Sequence, residues 1–332
     1  MKKFLSLVLA LTMMMSLVTI NAGAKEFTDD EDQNYDEAIA VISEIGVVDG
    51  YPDGSFKPQG TLTRGAAAKI ICNLILGPTT AGELHADTAP YKDVPTSNTF
   101  SGYIAYCAKE KIISGYADGT FRPSAGLTGY AFMKMLLGAL GYDAENEGYT
   151  GANWSINVAK QAIGIGLNNS LVDEFNGVDQ VTREEAALYA FNTLKATMVD
   201  YDQKITTTIN GVDVVISQGT AKPVDWSEGS NRDGNIKDDG YVQFAEEYFP
   251  KLYLDNTTDA FGRPAREWEY SGNTVGTYVN HDILKKEFTT EVTGRDLYDV
   301  LGKSTIDDYE FLISVDGETE KNVLGDAFFT ED

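Results

Sequence analysis

Histidine and cysteine are nearly missing from this chain: among 332 residues there are two of each. That excludes a Cys/His zinc cluster and a disulfide-dense scaffold. His85 lies in a connector and His281 outside any recognisable motif. There is no His-Glu-x-x-His, no nucleophile elbow and no phosphate loop, so the common metalloprotease, hydrolase and nucleotide-binding signatures are lacking. Positive charge is scarce as well. Twenty-six Lys and Arg face 51 Asp and Glu, a formal charge of −25. Such a surface repels nucleic acid and anionic lipid, so neither is expected as a partner. Beyond residue 20 no apolar run is long enough to cross a bilayer. Hydrophobic residues still make up 42% of the chain, enough for real cores and too many for a disordered acidic chain. The length predicts two or more domains.

The first residues do carry an apolar run. Met1-Lys2-Lys3 is a positive start, Phe4 to Ile20 is apolar, and Ala22-Gly23-Ala24 fits small-x-small cleavage. Residues 1–24 therefore read as a secretory signal peptide. Without Lys2 and Lys3 the mature chain stands at −27. No membrane association is expected after cleavage, and the acidic surface suits a cation-rich exterior.

The middle of the chain repeats itself. Gly50-Tyr51-Pro52-Asp53-Gly54-Ser55-Phe56-Lys57-Pro58, followed by Leu62-Thr63-Arg64, returns as Gly115-Tyr116-Ala117-Asp118-Gly119-Thr120-Phe121-Arg122-Pro123, followed by Leu127-Thr128. The offset is 65 residues from Asp53 to Asp118 and again from Thr63 to Thr128, so this is a true internal repeat. Pro52 presets φ and Asp-Gly supplies a left-handed turn position. Phe56 is expected as a buried plug. Thr63 is placed to cap a helix carrying Ala67, Ile70, Ile71 and Leu74 on one face, which Gly77-Pro78 stops. A worn third copy keeps a 119-residue register with the first: Trp154 with Tyr35, Phe175 with Phe56, Thr182-Arg183 with Thr63-Arg64. Its turn is replaced by Asn169-Ser170-Leu171-Val172-Asp173, but Thr182 with Glu185 makes a capping box. Upstream, Tyr35, Ile39 and Ile42 mark a first helix in copy one, and Phe100, Ile104 and Cys107 mark one in copy two. A single such unit cannot enclose its own apolar face; three packed together can.

Arg64 and Arg183 each follow the capping threonine. A cation at a first helical position faces the positive end of the helix dipole, a misplacement of about 0.3–1 kcal/mol. A residue set against local preference points to function. Arginine beside free N–H groups at a helix start is an anion site; on the residues alone, pairing with one of the many carboxylates is the alternative. Gly54 and Gly119 read first as turn formers.

These motifs resemble the S-layer homology (SLH) family, over about residues 27–196. The resemblance implies three SLH copies at 27–77, 91–141 and 149–196. It also implies a mainly α, pseudo-threefold helical prism with grooves between lobes, anchoring a secreted protein non-covalently at a Gram-positive-type cell wall. The implied partner is an anionic secondary cell-wall polysaccharide, often bearing a pyruvate ketal of N-acetylmannosamine. By position the implied ligand set is Arg64, Arg183, Thr63, Thr182, Asp93, Gly54 and Gly119. Copy two departs, with Gly129 in the arginine position, and copy one has Gly65-Ala66 where the family has Ala-Glu. No cofactor or metal is implied.

Cys72 and Cys107 fall in helices of copies one and two. A disulfide is open to a secreted protein; two small buried hydrophobes is the plainer reading. From about residue 197 the texture turns β-like, and residues 200–332 are expected to form a smaller β-rich domain of unknown role. Residues 204–216, with Asn210-Gly211 between two β-branched runs, read as a hairpin. Residues 228–240 read as a polar loop, in which Lys237 spoils the Asp233-Gly-Asn235 start of a calcium loop. Asp259 to Trp268, followed by Gly276-Thr277-Tyr278, resembles a segment downstream of SLH copies in clostridial surface proteins; Arg263 and Trp268 read as a structured turn and a core aromatic. Thr293 to Leu301 reads as a short helix, and 305–332 as strand and turn. Two functions follow: a structural surface-layer or wall-associated protein that self-associates in a lattice, or an anchored wall hydrolase with an unrecognised acid pair. The missing motifs favour the first, so no enzymatic activity is expected.

Overall fold

The computed structural model describes residues 25–202, 205–209, 212–217, 219–227, 234–260, 262–284, 312–315 and 318–321. The signal peptide expected over residues 1–24 and the helix expected over Thr293–Leu301 lie outside the described residues. What is described combines helices with small sheets, in two compact units. One unit runs through Tyr253 and takes in Tyr270–Asn273; the other comprises Leu254–Glu269 and the described residues from Thr274 onward.

In the first unit the helices fall where the repeat places them. The first segment supplies α1 (Asp36–Glu44) and α2 (Arg64–Leu76), with a short α3 (Pro78–Gly82) after it. The second supplies α4 (Ser101–Lys109) and α5 (Gly129–Ala139), the third α6 (Trp154–Gly164) and α7 (Arg183–Lys195). The Thr63 hydroxyl accepts from the Ala66 N–H at 3.2 Å. At Thr182 both halves of the capping box form: its hydroxyl accepts from the Glu185 N–H, and its own N–H donates to Glu185 at 2.7 Å. Gly77, at φ 74°, ends α2, and Pro78 then opens α3 at its first position rather than ending structure outright.

The two Asp-Gly turns are equivalent. Gly54 and Gly119 sit at φ 83° and 81°, and the Tyr51 and Tyr116 N–H groups close them on Ser55 and Thr120 at 2.8 Å. Asp53 accepts from the Ser55 N–H and hydroxyl, Asp118 from those of Thr120. Phe56 and Phe121 are buried plugs, as the sequence predicts.

The helices pair across segments rather than within them. Helix α4 packs on α2, α6 on α5, and α1 on α7, so each segment's first helix covers the second helix of the segment before it, and the first segment covers the third. The strand-like residues before the second helices close the same cycle. Leu62 N–H donates to Val181 (2.8 Å), Val181 to Leu127 (2.9 Å), and Leu127 back to Leu62 (2.9 Å). Around this ring lie the buried Ile39, Ile42, Ile71, Leu74, Phe132, Leu136, Leu188 and Phe191. Burying apolar faces in this way is the main driving force for the fold.

Cys72 and Cys107 meet in this core. Both are fully buried and free, with the sulfurs 3.5 Å apart across the α2–α4 contact. The unit continues past residue 200, where the sequence texture changes, because the chain folds back onto the helices. Val199 N–H donates to Leu140 and Phe244 N–H to Ala196. Here β1 (Val199–Tyr201) and β4 (Ala221–Pro223) pair antiparallel, and β2 (Ile205–Ile209) and β3 (Val212–Ser217) form the expected hairpin, Ile209 opposite Val212. Helix α8 (Phe244–Tyr248) follows; its buried Glu246 accepts from the N–H groups of Ile236, Lys237 and Gln243.

Most of the three-stranded sheet β5 (Leu252–Thr258), β6 (Pro264–Tyr270) and β7 (Asn273–Val279), in that order, belongs to the second unit, all but Leu252, Tyr253, Tyr270 and Asn273, as does the hairpin of β8 (Leu312–Val315) with β9 (Glu318–Lys321). Arg263 is tied to Asp259 at 2.7 Å across the turn into β6, and Trp268 is fully buried, in line with a structured turn and a core aromatic. Among the described residues no helix is long and apolar enough to cross a membrane.

Candidate functional site

The seams between consecutive segments are built by the starts of the second helices. Arg64 and Gly65 N–H groups donate to Ala125 and Pro123, Gly129 and Tyr130 to Asp179 and Gly177, Arg183 and Glu184 to Gly60 and Pro58. This corrects one sequence expectation. The N–H groups at these helix starts are not free to hold an anion; they are consumed in joining each segment to the next loop, and the third N–H of α2 and of α7 goes to its threonine cap.

What remains available is the arginine side chains. Arg64 lies along the second segment's loop, donating Nε–H to Phe121 O at 2.8 Å and an Nη2 hydrogen to Ser114 O at 3.2 Å. Arg183 repeats this on the first segment's loop, with Phe56 O at 2.8 Å and Asp49 O at 2.9 Å. Both guanidinium planes stand over aromatic rings: Arg64 over Phe121 and Tyr116 at 4.3 and 5.0 Å, Arg183 over Phe56 and Tyr51 at 4.8 Å each. Neither makes an ion pair with a carboxylate among the described residues, so pairing with an acid, the alternative open on the residues alone, is not what holds them. Burial pushes the pKa of both down. Each is a partly dehydrated cation that an incoming anion would stabilise.

A cavity of about 490 Å³ opens beside Arg64. Its walls come from all three segments: Tyr116 and Phe121 from the second loop, Lys134 and Met135 from α5, Tyr149 and Trp154 from the third segment. Lys134 stands over the Trp154 ring at 5.7 Å and burial lowers its pKa. Tyr149 is 2% exposed and its hydroxyl has no hydrogen-bond partner. A cation pair, flat aromatic faces and an orphaned hydroxyl on one cavity suit a small acidic molecule with an apolar face and hydroxyls, such as a charged sugar.

The third seam is closed. A Cβ on Gly129 would meet Gly177 Cα at 3.0 Å and the Phe175 ring at 3.2 Å, and the Tyr130 ring covers Gly177 and packs edge-on against Phe175 and Trp154. At the position that carries arginine in the other two seams, any side chain would here press on Gly177 and Phe175.

The remaining sequence-predicted residues take supporting places. Thr63 and Thr182 spend their hydroxyls as caps. Asp93 clamps its own loop, accepting from the Phe121 and Arg122 N–H groups at 2.7 Å; burial opposes its charge, but these bonds hold its carboxyl below the usual range. Gly54 and Gly119 face Thr28 and Lys92 of their own segments rather than the cavity. Sequence reasoning missed Asp29, which clamps Phe56 and Lys57 N–H groups as Asp93 clamps its loop; Phe27-Thr28-Asp29 against Tyr91-Lys92-Asp93 carries that signal. It missed Lys134, although Lys69 lies 65 residues before it in the same register. Tyr149, in a connector without a motif, left no signal.

Comparison with known proteins places these seams in context. Residues 27–68 and 90–129 match the S-layer homology domain. Over 177 residues, 53% of its length, the chain is 25% identical to a surface layer protein of Brevibacillus choshinensis, of which it covers 16%. Over 80 residues, 24% of its length, it is 36% identical to a cellulosome-anchoring protein of Acetivibrio thermocellus, of which it covers 17%. It is also 28% identical over 156 residues, 44% of its length, to an uncharacterized cell wall amidase of Bacillus anthracis, covering 28% of that protein. The chain thus spans less than a third of the length of each of these relatives.

Proposed function

We propose that residues 27–196 form a three-lobed helical prism of three S-layer homology copies, and that it holds the protein at the cell wall by binding an anionic secondary cell-wall polysaccharide without a covalent bond. The protein is a cell-wall-associated surface protein, as its two S-layer homology segments and its surface-layer relatives indicate. The third copy is supported by the equivalence of Arg183 to Arg64, each donating to the same two carbonyl positions of the next loop. A relative named for anchoring fits the same role.

The observation that carries the ligand reading is Arg64. Its guanidinium is partly dehydrated, fixed by two carbonyls, unpaired with any carboxylate among the described residues, and set in a cavity walled by Tyr116 and Trp154. In a protein of formal charge −25, a cation left without an acid is kept for an outside partner. A pyruvate ketal of N-acetylmannosamine suits it: a carboxylate for the guanidinium fork and a sugar face for the indole. The part beyond residue 200 serves display or assembly in a surface lattice.

The test is a pull-down of the mature protein on purified cell wall with and without its secondary polymer. Retention only on polymer-bearing wall supports the reading; equal retention on both rejects it. The double change Arg64→Ala, Arg183→Ala is expected to abolish retention. The amidase relative favours a second reading, an anchored wall hydrolase. A clearing band in a cell-wall zymogram would establish that reading, and the proposal here is that none appears.

A further inference from the structure

The two arginine seams differ at one decisive position. Arg64 holds the carbonyl of Ser114, Arg183 that of Asp49, and these residues are 65 apart in the repeat register. Lys134 and Lys69 are likewise equivalent. In the Arg183 seam the Asp49 carboxylate lies 3.7 Å from Lys69 Nζ and 3.6 Å from Lys25 Nζ. In the Arg64 seam Ser114 brings no charge, and Lys134 meets no carboxylate at ion-pair distance among the described residues; it rests over Trp154 instead. The Arg183 seam therefore carries a carboxylate, shared by two lysines, at the position where the Arg64 seam carries an uncharged serine. Like charge beside a binding position is a standard way to refuse a ligand.

Two further differences run the same way. The buried Tyr149 hydroxyl, without a partner, lines the Arg64 cavity; a buried polar atom left unpaired is destabilising until something bonds it. The wall residue there is Trp154, where the matching first-helix position of the second segment is Phe100, whose ring is taken up in packing against Gly65. Indole offers the larger face for a sugar ring and an N–H besides.

We propose that the Arg64 groove is the principal acidic-glycan site and that the Asp49 carboxylate, standing where the other seam has Ser114, opposes an anion in the Arg183 groove, so that the mature chain binds one anionic sugar residue rather than two. This rests on the anionic-polysaccharide reading above and adds which seam performs it.

The experiment uses the full mature protein, titrated calorimetrically with the methyl glycoside of pyruvylated N-acetylmannosamine and tested in parallel for retention on polymer-bearing wall. Circular dichroism checks that each variant is folded. One equivalent is expected to bind. Arg64→Ala and Ser114→Asp should each weaken binding by roughly 10- to 100-fold, the range for losing or opposing a charged hydrogen bond, and should release the protein from wall. Arg183→Ala should weaken binding at least tenfold less than Arg64→Ala does, because its groove already carries the Asp49 carboxylate. Asp49→Ser should bring the stoichiometry to two. Two equal sites in the native protein, equal loss of wall retention in Arg64→Ala and Arg183→Ala, or a stoichiometry of one in Asp49→Ser would overturn the inequality while leaving the polysaccharide reading standing. Absence of binding to the glycoside together with equal retention on polymer-free wall would overturn both.

Discussion

Glu184 reaches Asn34 across 150 residues of sequence, accepting from its backbone N–H and from its side-chain amide at 2.9 Å each. Glu184 is 3% exposed and also accepts from Gln59 at 2.6 Å. It ties the entry of the first segment to the start of α7, where the third segment begins its last helix. Glu184→Ala leaves the Asn34 N–H and amide without that partner and is expected to cost about 1–3 kcal/mol. Thermal melts of the mature protein check this, and Glu184→Gln, which keeps one acceptor, should fall between the two.

Tyr149 offers a sign test. Its hydroxyl is buried and unpartnered, so Tyr149→Phe removes a polar atom that the empty protein leaves unsatisfied. The expected result is a melting temperature equal to or above that of the native protein, with weaker retention on polymer-bearing wall. A purely structural tyrosine would move both in the same direction.

Cys72 and Cys107 are inaccessible, and the hydrogen bond between them together with burial pushes the Cys72 thiol far above its usual pKa. A thiol that cannot ionise is a poor nucleophile. Both are expected to resist an aromatic disulfide reagent at pH 8 until denaturant is added, after which two equivalents react. No reactive equivalent under denaturing, non-reducing conditions would mean that the pair had been oxidised to a disulfide.

Gly129→Arg tests why the third seam lacks its arginine. With Gly177 and Phe175 at 3.0–3.2 Å from the new Cβ, the loop must shift, and overpacking of this kind costs about 1–3 kcal/mol. The variant should melt lower and gain no glycan site.

The two Asp-Gly loops carry a pH dependence. Asp53 and Asp118 are held at about 2 by hydrogen bonds from Ser55 and Thr120 and by Lys57 and Arg122. Because the folded pKa lies below the ordinary value of 3.8, their contribution is full above pH 4 and is lost as pH falls toward 2. The double variant Asp53→Asn, Asp118→Asn should flatten that part of the stability curve, read from urea midpoints between pH 4.5 and 2.

Much of this was legible in the sequence because the relevant forces are local. The Asp-Gly turns, the caps at Thr63 and Thr182, the stop at Gly77 and the plugs Phe56 and Phe121 follow from residue conformational preferences and the 65-residue register. The hairpin around Asn210-Gly211 was legible for the same reason. Cross-segment facts were not. No local preference says that α1 covers α7, or that the helix-start N–H groups are spent on the next loop. The spacing of Cys72 and Cys107 does not reveal that their sulfurs touch, because that depends on how α2 and α4 cross. Lys134 stood in the 65-residue register, and Asp29 one residue out of it in the Phe27-Thr28-Asp29 match to Tyr91-Lys92-Asp93, so both could be read; Tyr149 joined the cavity only through tertiary packing.

The cycle Leu62–Val181–Leu127 has a consequence for the order in which the molecule becomes complete. A polypeptide emerges amino end first, yet the cavity at Arg64 is walled by Tyr149 and Trp154, and the main-chain ring lacks two bonds out of three until Val181 arrives. Any fragment that stops short of the third segment's second helix therefore lacks both the closed main-chain ring and the α1–α7 contact, so the three segments are expected to reach their final packing together and late.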